Sequence, residues 1–292
     1  MNPSHYIIKD LENLTGIKSH TIRIWEKRYG ILTPKRTENN FRYYDEDDLK
    51  KILNVNLLYQ NGLKISKIAI LKNDELLQAA KVIIDKNNGD TPNEINLLIT
   101  ASLKLDANEI SCILEELFQQ QGIIDMYQNT IKKFLIRIGE LWQLNTFQIS
   151  HEHLFSNTLR DFITGKIGLI KKTNNSKKAI LFLPPQEEHE LPLLFYHYLL
   201  LDKGWECIYL GQNVPFKDVE EAYLQTNPLI VLTSLIKSTS SKHFKLILKK
   251  ITEIVPENRI CLSGSNTITY KKDIPKGMKT IHNLADFVKV FE

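Results

Sequence analysis

Residues 179–211 read AILFLPPQEEHELPLLFYHYLLLDKGWECIYLG. An apolar run of strand length, AILFL, is followed by a polar loop, a helix-length apolar segment over residues 191–203 and a second strand-like run, ECIYLG. Two more such runs, PLIVLTS and RICLSGS, follow with helical segments between them. Strands that alternate with helices are typical of a parallel sheet with helices on both faces. The sequence therefore predicts an α/β domain over residues 177–292.

The loop that follows the first strand carries a candidate site. Ligands of open parallel sheets bind outside the carboxyl ends of the strands, which is where this loop lies. Glu187 stands two residues before His189. A carboxylate at that spacing can accept the imidazole N–H, which fixes the tautomer and leaves the other ring nitrogen to bind a metal. The spacing alone is also common in loops without a function.

Upstream of this domain the hydrophobic period changes to that of helices. Residues 74–168 keep a period close to 3.6, with breaks at 87–92, 105–106 and 121–122 and around Asn145. Four or five helices are expected, arranged most simply as a bundle over residues 76–172. The polar stretch KKTNNSKK at 171–178 is expected to be a linker.

Residues 1–75 predict a small third domain. A helix over residues 6–15 is expected to end at Gly16, and Ser19 is expected to cap a second helix that runs to about Arg28. Turn formers bounded by aromatic residues over 30–44 predict a hairpin. Acidic residues from Asp45 onward predict the first turn of another helix, because the helix dipole favours negative charge there.

Composition excludes several classes of protein. The chain has 292 residues, of which 42% are hydrophobic and 25% are charged, values near the average for globular proteins. The longest apolar run is too short to cross a bilayer, and the N-terminus lacks a signal-peptide pattern. Three widely separated cysteines without metal-site spacing favour a reducing compartment. A cytoplasmic protein is expected.

The net charge of +4 is distributed unevenly. Residues 1–72 hold 13 Lys and Arg against 8 Asp and Glu, whereas residues 73–292 hold 25 against 26. A basic first quarter on a near-neutral body suggests a nucleic-acid-binding head. In its second helix, Ile22, Trp25 and Tyr29 form an inward stripe, so the polar residues of the opposite side are available to contact DNA.

The string HTIRIWEKRYGILTPKRTENNFRYY at residues 20–44 resembles the DNA-binding domain of the MerR family of transcription regulators. The resemblance implies a winged helix-turn-helix that binds palindromic double-stranded DNA as a dimer. It assigns four residues to the recognition helix and three to the wing: His20, Thr21, Arg23 and Lys27, and then Arg36, Arg42 and Tyr43.

The order Glu187-x-His189, Ser234-x-Ile236 and Gly264-Ser265 resembles the Rossmann-like cobalamin-binding domain with its D/E-x-H-x-x-G, S-x-L and GG signature. The resemblance implies that His189 is the lower axial ligand of cobalt, with Glu187 behind it. It also implies that Ser234 hydrogen-bonds the displaced dimethylbenzimidazole base and that Gly264 and Ser265 lie along the nucleotide tail. Two of the signature's glycines are replaced, by Pro192 and Ser265.

In the helical region, Trp142 is followed ten residues later by Glu152 and His153. This pattern resembles the bundle that caps the upper corrin face in cobalamin-binding MerR regulators. The resemblance implies that Trp142 shields the cobalt–carbon bond and that Glu152 and His153 line the adenosyl side. Gln143 stands where a replacement axial histidine would lie, so His151 and His153 are the candidate substitutes. The alternative for Trp142 is a core residue of the bundle.

As a whole, the chain resembles the light-responsive, adenosylcobalamin-dependent repressors of the MerR family. The expected fold is multidomain, with a winged helix-turn-helix head, a helical bundle and a Rossmann-like sheet. The expected function is a non-enzymatic repressor, a dimer or tetramer whose assembly and DNA binding depend on the cofactor. The alternative is a regulator whose degenerate cobalamin fold now serves oligomerisation or protein contacts. A corrinoid carrier or mutase subunit is disfavoured by the DNA-binding head.

Overall fold

The computed structural model describes residues 6–37, 40–88, 92–171 and 177–291. The chain divides into two compact units, Met1–Thr158 and Leu159–Glu292. Part of the predicted break at 87–92 and most of the predicted linker at 171–178 lie outside the described residues, and the division into three domains stays a prediction. In the described ranges no helix is both long and apolar enough to span a membrane.

The first unit begins with a helix-turn-helix. The turn at Gly16 is left-handed, with φ of 73°, as the predicted end of the first helix requires. Ser19 does not cap the second helix, which was a wrong prediction. Lys18 precedes the helix instead, and the Ser19 hydroxyl donates a hydrogen bond of 2.5 Å to the Glu12 carboxylate. The elements are α1 (Ile8–Thr15), α2 (Ser19–Tyr29), β1 (Lys35–Arg36), β2 (Arg42–Tyr43), α3 (Glu46–Gln60) and α4 (Ile65–Ile68).

Two predicted features of this head are present. Strands β1 and β2 pair antiparallel, so the stretch 30–44 contains a hairpin. Helix α3 begins after Asp45, whose side chain accepts a hydrogen bond from the backbone N–H of Asp48, while the Asp48 side chain accepts from the N–H of Asp45. This reciprocal capping satisfies two backbone donors at the start of α3. It also explains why the acidic cluster begins the helix.

The helical region follows the predicted periodicity. Gly122 has φ of 73°, so the predicted break at 121–122 interrupts the helical backbone there. A short π-helix, Met126–Ile131, then leads into the next helix. Within the described residues the region contains α5 (Asn73–Asn88), α6 (Asn93–Leu103), α7 (Ala107–Asp125), α8 (Lys132–Gln143) and α9 (Ile149–Leu169), the last of which ends in the second unit.

The second unit is built on a parallel sheet. Its strand order is β4-β3-β5-β6-β7, and every neighbouring pair is parallel. The two-residue β7 was not predicted. The elements are β3 (Lys178–Phe182), α10 (Leu191–Asp202), β4 (Glu206–Gly211), α11 (Phe216–Thr226), β5 (Ile230–Ser234), α12 (Ser241–Ile254), β6 (Ile260–Ser263), α13 (Ser265–Thr269), β7 (Lys279–Thr280) and α14 (Leu284–Phe291).

Helices cover both faces of this sheet. Ile180 and Phe182 pack into one core with Phe244 of α12. Alternation along β3 turns Ala179 and Leu181 to the other face, where α10 packs against β3, β4 and β5. All strands run in the same direction, but the strand order reverses at β3 and β5, because β4 is added on one side of β3 and β5 on the other. The crevice at such a reversal is where ligands of open parallel sheets bind.

Candidate nucleic-acid interface and cofactor site

Three of the four residues predicted to contact DNA from α2 form an exposed stripe. His20, Arg23 and Lys27 are exposed and recur at helical spacing, while Thr21 is half-buried. The opposite side of α2 is held by Ile22 and Trp25, which are buried in the head. The helix therefore has one face fixed by the core and one face of polar and basic donors that can reach base edges and phosphates.

The hairpin presents two exposed cations, Arg36 and Arg42. The Arg36 guanidinium donates to the Asn40 side-chain oxygen at 2.6 Å, so its charge is not neutralised by that partner. Lys35 differs, because its ammonium forms an ion pair with Asp45 whose hydrogen bond raises the pKa of Lys35. Tyr43, which follows Arg42 in β2 and pairs with Lys35 of β1, is half-buried.

Tyr44 attaches the hairpin to α2. It is fully buried, and its hydroxyl donates to the carboxylate of Glu26 on α2. Burial, together with that carboxylate, raises the pKa of Tyr44. Its backbone also pairs with Tyr6. Glu26 lies 18 residues away from Tyr44, and no local pattern of the sequence connects the two.

At the carboxyl end of β3, the predicted hydrogen bond between Glu187 and His189 is present. His189 Nδ1 lies 2.5 Å from Glu187 Oε1. The other carboxylate oxygen, Oε2, accepts the backbone N–H groups of Ile236 and Lys237 at 2.8 and 2.7 Å. Glu187 is 5% exposed, so the loops after β3 and β5 are held together by a buried carboxylate.

The charge of Glu187 determines which nitrogen of His189 carries a hydrogen. Burial opposes this charge, but the hydrogen bonds from His189 and from three backbone N–H groups outweigh it and lower the pKa of Glu187 to about 2. An ionised carboxylate only accepts hydrogen bonds, so His189 Nδ1 donates. In the neutral imidazole the lone pair is then on Nε2, which is the form a metal ligand requires.

Ser234 ends β5 beside this loop. It is 1% exposed, and its hydroxyl oxygen has no hydrogen-bond partner among the described residues. A buried hydroxyl without a partner is costly and is usually satisfied by a ligand or water. The serine that the resemblance assigns to the cofactor thus has a hydroxyl without a partner among the described residues.

Gly264 lies where the loops after β5 and β6 cross. Its φ is 95°, and a Cβ added there would approach the carbonyl carbon of Leu235 to 2.6 Å. The backbone N–H of Leu235 donates to the carbonyl of Ser263. The neighbouring Ser265 is exposed, and its hydroxyl donates to the Ile236 carbonyl at 3.3 Å. The glycine is thus required by the approach of two backbone segments.

Pro192 is in the first turn of α10, where its missing N–H and fixed φ are tolerated. The fold therefore accommodates this departure from the signature.

His197 lies further along α10 and is stacked on Tyr209 with ring centroids 4.6 Å apart. Burial lowers the pKa of His197 to about 4.

The three upper-face candidates lie in the first unit. Trp142 packs against the core of the head, and the Lys50 ammonium lies 4.8 Å from its ring centre. A cavity of about 390 Å³ adjoins both side chains. Glu152 accepts a hydrogen bond of 2.6 Å from Ser156 and lies 2.7 Å from His153 Nδ1. Of the three predicted residues, Glu152 and His153 contact each other, whereas Trp142 contacts the head.

Two family models match separate parts of the chain. The model described as MerR HTH family regulatory protein matches residues 6–75, which contain the helix-turn-helix and the hairpin. The model described as B12 binding domain matches residues 94–164, which contain Trp142, Glu152 and His153.

Similar proteins cover most of the chain. HTH-type transcriptional repressor CarH of Myxococcus xanthus is 27% identical over 259 residues, covering 86% of this chain and 85% of the relative. Repressor CarA of the same organism is 24% identical, covering 83% and 80%. A solved structure, the Methanosarcina barkeri monomethylamine corrinoid protein, is 17% identical with a TM-score of 0.53, covering 66% of this chain and 94% of that one, a likeness of fold.

Proposed function

Because this chain joins a MerR-type DNA-binding head to a B12-binding domain and is homologous to the repressors CarH and CarA, we propose that it is a repressor controlled by adenosylcobalamin. The protein is a regulator of transcription and not an enzyme. Its proposed place of action is the cytoplasm, on a palindromic operator. Light sensing is part of the proposal, since bound adenosylcobalamin supplies a cobalt–carbon bond that light cleaves.

The observation that carries the cofactor assignment is the Glu187–His189 pair. Its hydrogen bond gives His189 the tautomer that a cobalt ligand needs, and the His189 side chain is 53% exposed, within reach of a ligand. The unsatisfied hydroxyl of Ser234 provides a second group for the same cofactor. His189 would be the protein ligand of cobalt, and Ser234 would hydrogen-bond the dimethylbenzimidazole base of the cofactor. Gly264 and Ser265 are proposed to lie along the nucleotide tail.

The upper-face assignment of Trp142, Glu152 and His153 rests on sequence spacing within the matched B12 binding domain. The DNA assignment rests on the exposed stripe of α2 and on the hairpin. In the proposal, His20, Thr21, Arg23 and Lys27 read or hold the operator, and Arg36, Arg42 and Tyr43 contact the flanking backbone.

Control of transcription requires that the cofactor favour one assembly state over another. A ligand shifts such an equilibrium only by its difference in affinity for the two states. We expect the cofactor-bound form to be a homo-oligomer, dimer or tetramer, that binds the operator, and the photolysed form to release it. Chemical turnover is not required.

The test combines purified full-length protein with adenosylcobalamin in the dark and records its absorption spectrum, elution volume and operator binding before and after green light. The matched pair of variants is His189→Ala and His243→Ala, because His243 is an exposed histidine of the same unit at the start of α12. We expect His189→Ala alone to alter the spectrum. Bound cofactor whose absorption spectrum is the same in the two variants would remove the assignment of His189 as the cobalt ligand.

A specific observation favours a second candidate. The backbone at Gly264 packs directly against Leu235, and Ser265 projects from the next position, so less room remains along this loop than a second glycine would leave. A regulator that binds its operator as an oligomer but acquires no cobalamin spectrum would establish that alternative, with the second unit used for assembly.

A further inference from the structure

Glu190, which directly follows His189, is a largely buried carboxylate that accepts hydrogen bonds from three donors. Its side chain is 10% exposed. Oε1 accepts from the Tyr209 hydroxyl at 2.8 Å, and Oε2 accepts from the Gln212 amide at 3.0 Å and from the Arg160 guanidinium at 2.9 Å. These donors belong to β4, to the loop after it and to α9, so Glu190 ties three segments to the start of α10.

This arrangement places His189 between two anchored carboxylates. Glu187 is held by the loop after β5, and Glu190 is held by β4 and α9. The backbone N–H of Gln186, on the near side of the loop, donates to the Asn213 side chain at 2.7 Å. The intervening Glu188 is exposed. The short segment that carries the proposed cobalt ligand is therefore fixed at both ends.

We propose that Glu190 is a positioning residue for His189, acting through the backbone and not by contact with the cofactor. This inference rests on the proposed function of His189. Groups that orient a metal ligand affect metal affinity by roughly 10- to 100-fold when they are removed. Loss of the Glu190 carboxylate frees the segment after His189, whereas loss of the Glu188 carboxylate does not.

The donors to Glu190 differ in how strongly each one anchors its carboxylate. Arg160 contributes a charged hydrogen bond from α9, and charge-assisted hydrogen bonds are stronger than neutral ones. Tyr209 contributes a neutral donor that also stacks on His197. We therefore expect Arg160→Ala to weaken the anchor more than Tyr209→Phe does, because Phe keeps the stacked ring.

The experiment compares Glu190→Ala, Glu190→Gln and the exposed neighbour Glu188→Ala in the full-length protein. Dark titration with adenosylcobalamin gives the affinity, and electron paramagnetic resonance of the protein loaded with cob(II)alamin gives the axial ligand. Labelling histidine with ¹⁵N changes the nitrogen splitting only where a histidine binds cobalt. We expect Glu190→Ala to bind at least about tenfold more weakly with a reduced histidine-ligated fraction. Glu190→Gln should be intermediate, and Glu188→Ala should match the wild type.

Thermal unfolding of each variant separates positioning from stability. If Glu190→Ala does not fold, Arg160→Ala and Tyr209→Phe carry the same comparison with one donor removed. Variants that unfold at lower temperature but keep the full histidine-ligated fraction would overturn the positioning role. A wild-type protein that takes up no cobalamin would instead remove the proposed function, and this inference with it.

Discussion

Gly264 is constrained twice, by its backbone conformation and by its neighbour. Its φ of 95° is strained for any side chain, and an added Cβ would collide with the Leu235 backbone, which cannot move aside as a flexible side chain could. We expect Gly264→Ala to destabilise the second unit by about 3 kcal/mol. The measurement is denaturation followed by circular dichroism.

The control for Gly264 is Gly165→Ala. Gly165 lies in α9, where nothing is within 4 Å of an added Cβ. Alanine there should be neutral or stabilise by up to about 1 kcal/mol, because glycine is a poor helix former. Equal effects of the two substitutions would show that the crossing of the two loops has more room than the structure gives it.

Glu187 makes the stability of the second unit depend on pH. Its pKa falls from an ordinary 4.5 to about 2 in the folded protein, so the folded state favours the charged form. A group with a lowered folded pKa contributes stability that is fully present above the unfolded value and is lost as the pH falls through the folded value. The contribution, about 3 kcal/mol, is thus complete above about pH 4.5 and lost towards pH 2.

We expect the difference in unfolding free energy between the wild type and Glu187→Gln to be constant above about pH 5 and to shrink between pH 4.5 and 2. Urea denaturation at a series of pH values measures it. Glu188→Gln is the control, since this neighbour is exposed and should show little difference at any pH. A Glu187→Gln difference that stays constant down to pH 2 would contradict the lowered pKa.

Between elements, the least expected contact joins α3 of the head to the end of α8. Asn54 is 1% exposed, and its side-chain oxygen accepts a hydrogen bond from the Gln143 amide at 2.7 Å. Its own amide donates to the Gln143 backbone carbonyl at 3.2 Å. Gln143 follows Trp142, so this pair fixes the helix end that carries the tryptophan to the DNA-binding head.

A double-mutant cycle tests this contact. Asn54→Ala should cost about 2 kcal/mol, because it leaves Gln143 groups unsatisfied, and Gln143→Ala somewhat less. The double variant should cost less than the sum by about 1 kcal/mol. Asn61→Ala is the control, since Asn61 is exposed and its side-chain amide donates within its own turn, to the Leu57 carbonyl. Strictly additive effects would show that the two amides do not interact.

Local patterns account for the elements that the sequence predicted. Helical period, the left-handed turn at Gly16 and the break at Gly122 depend on neighbouring residues, so they can be recognised in a single sequence. The Glu187–His189 bond was predictable for the same reason. Asn54 and Gln143 are 89 residues apart, and Arg160 and Glu190 are 30 apart. No periodicity connects such pairs, and the two residues of β7 are too few to make a pattern.

Competition between local groups explains the wrong cap. Ser19 has the side chain of a good N-cap, but its hydroxyl donates to the Glu12 carboxylate, which also accepts the Ser19 backbone N–H. The hydrogen bond from the Ser19 hydroxyl is the main reason why the pKa of Glu12 is lowered to about 2. The Ser19 hydroxyl thus bonds to a charged acceptor on α1 instead of capping α2. This hydrogen bond fixes the turn between the two helices.

At the scale of the molecule, the charge distribution separates the head from the rest of the chain. Residues 1–72 carry an excess of five positive charges, while residues 73–292 carry a net charge of −1. Binding to DNA releases counterions in proportion to the phosphates that are neutralised, so affinity falls with salt. The salt dependence of operator binding should therefore come from the head, and chiefly from cations that have no acidic partner.

Arg42 and Lys35 lie on paired strands of the hairpin. Lys35 is paired with Asp45, whereas Arg42 is exposed and forms no ion pair with an acidic residue that the structure describes. We expect Arg42→Ala to weaken binding to operator and unrelated DNA by similar factors and to reduce the salt slope by about 1. Lys35→Ala should change the slope by less than half as much. Affinities measured at several salt concentrations decide between them, and an unchanged slope in Arg42→Ala would exclude Arg42 from the phosphate contacts.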